Sequence, residues 1–199
     1  NIPGYAQYSP AKINAAYAFG GTKATVNTVQ KYFNVPVDYY LLVNMGGLEK
    51  AINHVGGVTV TSPLTFSYEG YSFSKGKSYH MNGKQALAFA RMRYDDPHGD
   101  YGRQTRQRLI ITSLLRKSIS YKTVLNRDFL KSMSSSVHTD LKLSDMRTLA
   151  LHYRTATHNV VTDHAQGHGE EQGGQDFEIV SQTEQNRITN LLKKSLNIN

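Results

Sequence analysis

The residue types best suited to chemistry are concentrated between positions 91 and 108. Arg91, Arg93, Arg103, Arg106 and Arg108 are interspersed there with Asp95, Asp96 and Asp100, and no lysine appears. An arginine presents a planar fork of donors that grips carboxylate or phosphate oxygens in a fixed orientation, which a lysine ammonium does not. Charge runs ordinarily face water, but the spacing here suggests geometry. If residues 90–94 are extended, Arg91 and Arg93 project to the same side. Asp95-Asp96-Pro97-His98-Gly99 then reads as a turn, with Pro and Gly as breakers. From Gly102 a helix is expected, with Arg103, Gln107 and Ile110 or Ile111 on one face. Free backbone N–H groups and the dipole at a helix start favour an anion. Two strand-borne guanidiniums and a helix N-terminus would therefore converge on one anionic group, and a phosphate or pyrophosphate is the natural guest.

The carboxylates among these arginines have two roles open to them. Asp95 and Asp96 are expected to orient guanidiniums and moderate their repulsion. Asp100 directly precedes the expected helix carrying Arg103, so it is also a candidate base for activating an acceptor hydroxyl. Lys12, beside Asn14 at a helix start, is either a further phosphate contact or a solvated lysine. His164, His168, Glu170 and Glu171 match no zinc spacing, so no metal ligands are assigned in this chain. There is no P-loop, Rossmann glycine pattern or serine nucleophile elbow.

The elements that must position these residues alternate between helix and strand. Lys12 to Phe19 reads as a short helix closed by Gly20-Gly21, and Thr22 to Phe33 as a second. Val37 to Met45 is apolar enough for a central strand. A helix from Leu48 to His54 and a strand from Val58 to Thr61 follow. Phe66, Tyr68, Tyr71 and Phe73 fall in a stretch (63–77) that reads as a hairpin or flap. Asn82-Gly83-Lys84-Gln85 opens a helix through Ala90, and a long helix is expected from Gln104 to Ser120. Further helices are expected from Leu125 to Val137 and from Leu143 to Thr155. The latter is read as capped by Ser144, with Met146, Leu149 and Tyr153 as apolar contacts. His158 to Thr162 and Phe177 to Val180 read as strands around a mobile polar excursion at 165–175. Ser181-Gln182-Thr183-Glu184 starts a last helix ending near Leu196. Such alternation predicts a layered α/β fold.

Composition narrows the partners. The formal net charge of +8 favours polyanions, with nucleic acid, an anionic membrane surface and an anionic wall polymer all qualifying. The absence of cysteine excludes disulfides and thiol catalysis. No apolar run approaches 18 residues, so a membrane anchor would have to lie outside these residues. At 199 residues the chain suits a single domain, 1–199.

The arginine segment resembles the signature of the LytR-CpsA-Psr family. So do Lys12-Ile13-Asn14-Ala15-Ala16-Tyr17-Ala18-Phe19-Gly20-Gly21, Val37-Asp38-Tyr39-Tyr40 and Gly56-Gly57-Val58. The resemblance implies membrane-anchored enzymes on the extracellular face of the bacterial cell membrane. They transfer a glycopolymer, capsular polysaccharide or teichoic acid, from a polyprenyl pyrophosphate carrier onto peptidoglycan. It implies a central mixed sheet with helices on both sides, enclosing an apolar cavity for the lipid. It places Arg91, Arg93, Arg103 and Gln107 where family members hold the pyrophosphate, and Lys12 within a matched motif. It also implies Mg2+, whose aspartate ligands, like the membrane helix, are expected in an upstream segment outside residues 1–199. That segment is expected to pair with this chain, leaving the domain N-terminally incomplete.

Three readings follow. The first is a glycopolymer–peptidoglycan phosphotransferase. The second is a non-catalytic binder of anionic wall polymer or lipid. The third is a nucleic-acid-binding transcriptional regulator, disfavoured because no DNA-binding motif is found and the arginines cluster at one turn. Nucleic acid is accordingly not an expected partner.

Overall fold

A computed structural model describes residues 2–118, 135–153, 156 and 160–198. The chain divides into two compact units, residues 1–40 with 163–199, and residues 41–162. Helices and strands are mixed throughout, as the α/β reading requires. Among the described residues the strands pair two by two, always antiparallel. No helix among them is long and apolar enough to cross a membrane.

In the first unit, helix α1 (Ala15–Phe33) is broken at Gly20 and Gly21. Gly21 has φ +61° and ψ −153°, a conformation open to glycine and costly for other residues. The two expected helices are therefore the two arms of α1. Residues 165–175, expected to be a mobile excursion, instead lie mostly in a hairpin of β7 (Gly167–Gln172) and β8 (Gln175–Val180). Helix α6 (Gln182–Leu196) closes the unit. Its N-cap Ser181 hydroxyl accepts from the Glu184 N–H at 3.2 Å, as the sequence signal indicated.

The second unit carries the arginines. Strand β1 (Leu41–Val43) pairs with β6 (Val137–Thr139), and helix α2 (Met45–His54) follows β1. The expected strand from Val37 to Met45 is thus cut to three residues, two of them exposed. The carboxamide of Asn44 accepts the Gly47 N–H at 2.8 Å and so starts a helix where the apolar run alone would continue a strand. Strand β2 (Val58–Thr61) pairs with β5 (Ser78–Met81), burying Val58 and Val60 while Thr59 and Thr61 face out. Strands β3 (Phe66–Tyr68) and β4 (Tyr71–Phe73) form the expected aromatic hairpin.

Helix α3 (Gly83–Arg91) begins with a full capping box: Asn82 and Gln85 each accept the other's backbone N–H, at 3.0 and 3.1 Å. Its run Ala86 to Ala90 is buried, and Phe89 meets Phe66 and Phe73 at ring-centroid distances of 5.7 and 5.1 Å. Ile52, Val58, Met81, Met92 and Ile110 complete this core. Each such side chain contributes about 1.5–3 kcal/mol by leaving water. Helix α4 (Gly99–Ser118) packs across it. Its Ser113 hydroxyl bonds both the N–H and the carbonyl of Thr59, at 3.2 and 3.0 Å, fixing α4 against β2.

Helix α5 (Leu143–His152) follows β6. The carboxylate of Asp145, not Ser144, serves its start by accepting the Lys142 N–H at 2.9 Å. Leu149 and Tyr153 are exposed, and only Ala150 of this helix is buried, so the expected apolar stripe is not a core face. The helix expected from Leu125 to Val137 lies outside the described residues up to position 134, and Val137 begins β6. The strand expected from His158 falls partly outside them, and residues 160–162 are not strand.

Candidate functional site

The geometry of the arginine segment differs from the extended reading. Arg91 is the last residue of α3, so it is helical, and Arg93 lies beyond the helix. The chain leaves the helix at Met92, with φ −52° and ψ 132°. Helix α4 starts at Gly99, three residues earlier than expected, which places Arg103 in its second turn. Gly99 N–H donates to the Asp96 carbonyl at 2.9 Å and Gly102 N–H to the His98 carbonyl at 3.4 Å, so part of the helix start is already satisfied by the turn before it. Ile110 is buried on the face of Arg103 and Gln107, whereas Ile111 is exposed.

Arg106 holds this corner together. Its side chain is fully buried, and its guanidinium has three acceptors. Nε donates to the Phe89 carbonyl at 3.0 Å, Nη2 to the Met92 carbonyl, and Nη1 to the Asp96 carboxylate. The guanidinium also lies 5.2 Å from the centre of the Phe66 ring. Met92 stands between Arg91 and Arg93, and Arg106 lies one turn after Arg103. One buried side chain on α4 therefore ties down the backbone that carries Arg91 and Arg93. The Asp96 side chain is 3% exposed and its carboxylate also accepts the His98 N–H at 2.9 Å, so it orients a guanidinium as expected. A Cβ on Gly102 would collide with that carboxylate. The sequence reading gave Arg106 no role. Its signal was available, because it falls four residues before Ile110 on the buried side of α4.

The remaining candidates are more open. Arg91 is half exposed and lies 3.4 Å from the Glu69 carboxylate. Arg93 is exposed and forms no hydrogen bond or ion pair among the described residues. Arg103 is 31% exposed, and its Nη2 lies 2.5 Å from Asp100 Oδ1. Its Nε is buried and has no acceptor among the described residues. Asp100 also accepts from the Gln104 carboxamide at 2.9 Å. Gln107 is half-buried one turn beyond Arg103. Lys12 belongs to the first unit, where its ammonium lies 5.3 Å from the centre of the Phe177 ring.

The carboxylates of this corner fit a magnesium site poorly. Asp96 is committed to Arg106, and Asp100 to Arg103 and Gln104. No group of three His, Asp or Glu side chains among the described residues is placed to hold a metal. His168 instead lies 3.7 Å from Glu170, and His164 bonds Gln166 at 3.1 Å. Guanidinium donors suit an anion, and this corner has one exposed, one half-exposed and a third whose buried Nε lacks an acceptor among the described residues.

Known proteins place this geometry in context. Residues 1–194 match the LytR_cpsA_psr family. The polyisoprenyl-teichoic acid–peptidoglycan teichoic acid transferase TagU of Enterococcus faecalis is 43% identical over 99% of the chain, which spans 64% of that relative's length. The crystal structure of Bacillus subtilis TagU is 38% identical, with a TM-score of 0.72 over 93% of this chain and 76% of that one. A structure of TagT bound to LI-WTA is 25% identical, with a TM-score of 0.80 over 100% of this chain and 75% of that one. The chain belongs to the LytR-CpsA-Psr family.

Proposed function

We propose that this chain carries the pyrophosphate-binding part of a transferase that moves teichoic acid or a related glycopolymer from a polyprenyl pyrophosphate carrier onto peptidoglycan. The observation that carries this reading is Arg103. Its Nε–H is buried without an acceptor among the described residues, a costly state that an anion oxygen would relieve. Arg91 and Arg93, on backbone tied down by Arg106, supply the further guanidiniums, and Gln107 a carboxamide. The names of the relatives, which specify teichoic acid and peptidoglycan, support the substrate class.

The reaction assigned to the site is a displacement at phosphorus. An acceptor hydroxyl on peptidoglycan attacks the phosphorus nearest the glycopolymer. The bond from that phosphorus to the bridging oxygen breaks, and polyprenyl monophosphate leaves with the bond's electron pair. The hydroxyl proton passes to a base, for which Asp100 is the candidate because it lies exposed beside Arg103. The guanidiniums stabilise charge as it develops on the departing phosphate. Magnesium, which would further polarise the pyrophosphate, is assigned to carboxylates outside residues 1–199, since Asp96 and Asp100 are already engaged by Arg106 and Arg103 and no group of three His, Asp or Glu side chains among the described residues is placed to hold a metal. The same outside portion of the protein would supply the anchor to the extracellular face of the cell membrane. The polyprenyl chain is assigned to an apolar cavity of the domain.

The test uses the whole protein, a labelled polyprenyl-pyrophosphate-linked teichoic acid and peptidoglycan. Label in the insoluble wall fraction with stoichiometric polyprenyl monophosphate supports transfer. Retained lipid pyrophosphate with no label in the wall contradicts it.

A further inference from the structure

We propose that Arg106 is a positioning residue for the anion site, acting with Asp96 and Gly102, and does not itself touch the ligand. The inference rests on the pyrophosphate reading above and adds the device that shapes the site. Arg106 has no exposed surface, and each of its three nitrogens already donates inside the protein, to Phe89, Met92 or Asp96, so burial keeps it from a solvent-borne anion. What it controls is the course of the chain. At Met92 the backbone leaves α3, and the Met92 carbonyl is held by α4 through this guanidinium. Arg91 precedes that point and Arg93 follows it, so both are set against the helix bearing Arg103 by a single buried group.

The carboxylate of Asp96 completes the device. It pairs with Arg106 on one oxygen and receives the His98 N–H on the other, closing the turn between the helices. Position 102 admits this carboxylate only because it is glycine, for a methyl group would occupy the same space. A buried ion pair of this kind is often no more stabilising than well-packed apolar residues. Its value here is therefore geometric: it fixes the separation of guanidiniums that must meet one pyrophosphate, and small misplacements of such groups cost binding and rate heavily.

The experiment measures inorganic pyrophosphate binding by calorimetry at fixed ionic strength for the wild-type chain, Gly102→Ala, Arg93→Ala and the double variant. Circular dichroism and thermal melts report the folded fraction. Asp96→Asn, isosteric and still an acceptor for Arg106, serves as the second route into the network. Folded Gly102→Ala or Asp96→Asn should bind about tenfold more weakly, within the coupling range of residues sharing one network. The double variant with Arg93→Ala should lose much less than the product of the two single losses, because both changes remove the same guanidinium from its place. A purely structural role would lower the melting temperature and leave the affinity of the folded fraction unchanged, or give multiplicative losses. Either result would overturn the inference while the site reading stood. A wild-type chain that binds no pyrophosphate would overturn the site reading and this inference with it.

Discussion

The guanidinium of Arg91 lies 3.4 Å from the carboxylate of Glu69, at the tip of the aromatic hairpin. The hairpin turn places Glu69 at φ +49° and Gly70 at φ +81°, the paired left-handed conformation of a tight two-residue connection. An internal carboxylate thus occupies a donor that the proposal assigns to pyrophosphate. Both groups are well exposed, so the pair is worth at most about 1 kcal/mol. Glu69→Gln should raise pyrophosphate affinity by up to about fivefold at low salt. Calorimetric titration checks this, and an unchanged or weaker affinity would show that Glu69 does not compete.

Removing a guanidinium should have the opposite sign. Arg103→Ala and Arg91→Ala are each expected to weaken pyrophosphate binding by about 1.5–3 kcal/mol, the range for hydrogen bonds to charged groups. Arg91→Lys should recover only part of the loss, because an ammonium lacks the fork. Full recovery by lysine would mean that charge alone, not orientation, is what Arg91 contributes.

Much of this corner was legible in the sequence. The capping box at Asn82 and Gln85, the aromatic hairpin and the long helix behind Arg103 all rest on local signals that the fold obeys. Arg91 was misread as strand because the bend at Met92 is held from outside, by a guanidinium fourteen positions later. No local pattern reports such a contact. Residues 165–175 lacked the apolar alternation that marks a half-buried strand, yet Gly173-Gly174 offered a hairpin turn signal. The strand read across Val37 to Met45 shows the reverse error. An apolar run suggested a central strand, while Asn44 was already marking a helix start.

Arg106→Met should destabilise the chain by about 3–5 kcal/mol, the cost of leaving a buried carboxylate without its partner. Chemical denaturation at neutral pH measures this. The loss should be smaller in the Asp96→Asn background, where no charge is stranded. Equal losses in both backgrounds would show that packing, not the ion pair, accounts for the effect.

The first unit has its own acid-sensitive contact. Arg187 bonds Asp163 at 2.7 Å and Glu184 at 2.7 Å, and these bonds hold both carboxyls down to about 2, below ordinary values of 3.8 and 4.5. A depressed carboxyl contributes stability that is fully present above its unfolded value and is lost as pH falls through the folded one. The contribution should therefore be complete above about pH 4.5 and decline toward pH 2. The gap between denaturation curves for wild type and Arg187→Met, small because solvent screens exposed pairs, should be largest above about pH 4.5 and close as pH falls through about 2. A gap independent of pH would contradict this assignment.

The most direct test of the central claim is a crystal structure of the whole protein with a bound polyprenyl pyrophosphate. The account predicts the pyrophosphate within hydrogen-bonding distance of Arg91, Arg93 and Arg103, with an oxygen accepting from Arg103 Nε, and the lipid tail ordered inside the domain. A pyrophosphate bound elsewhere, with these three guanidiniums directed apart into solvent, would contradict it.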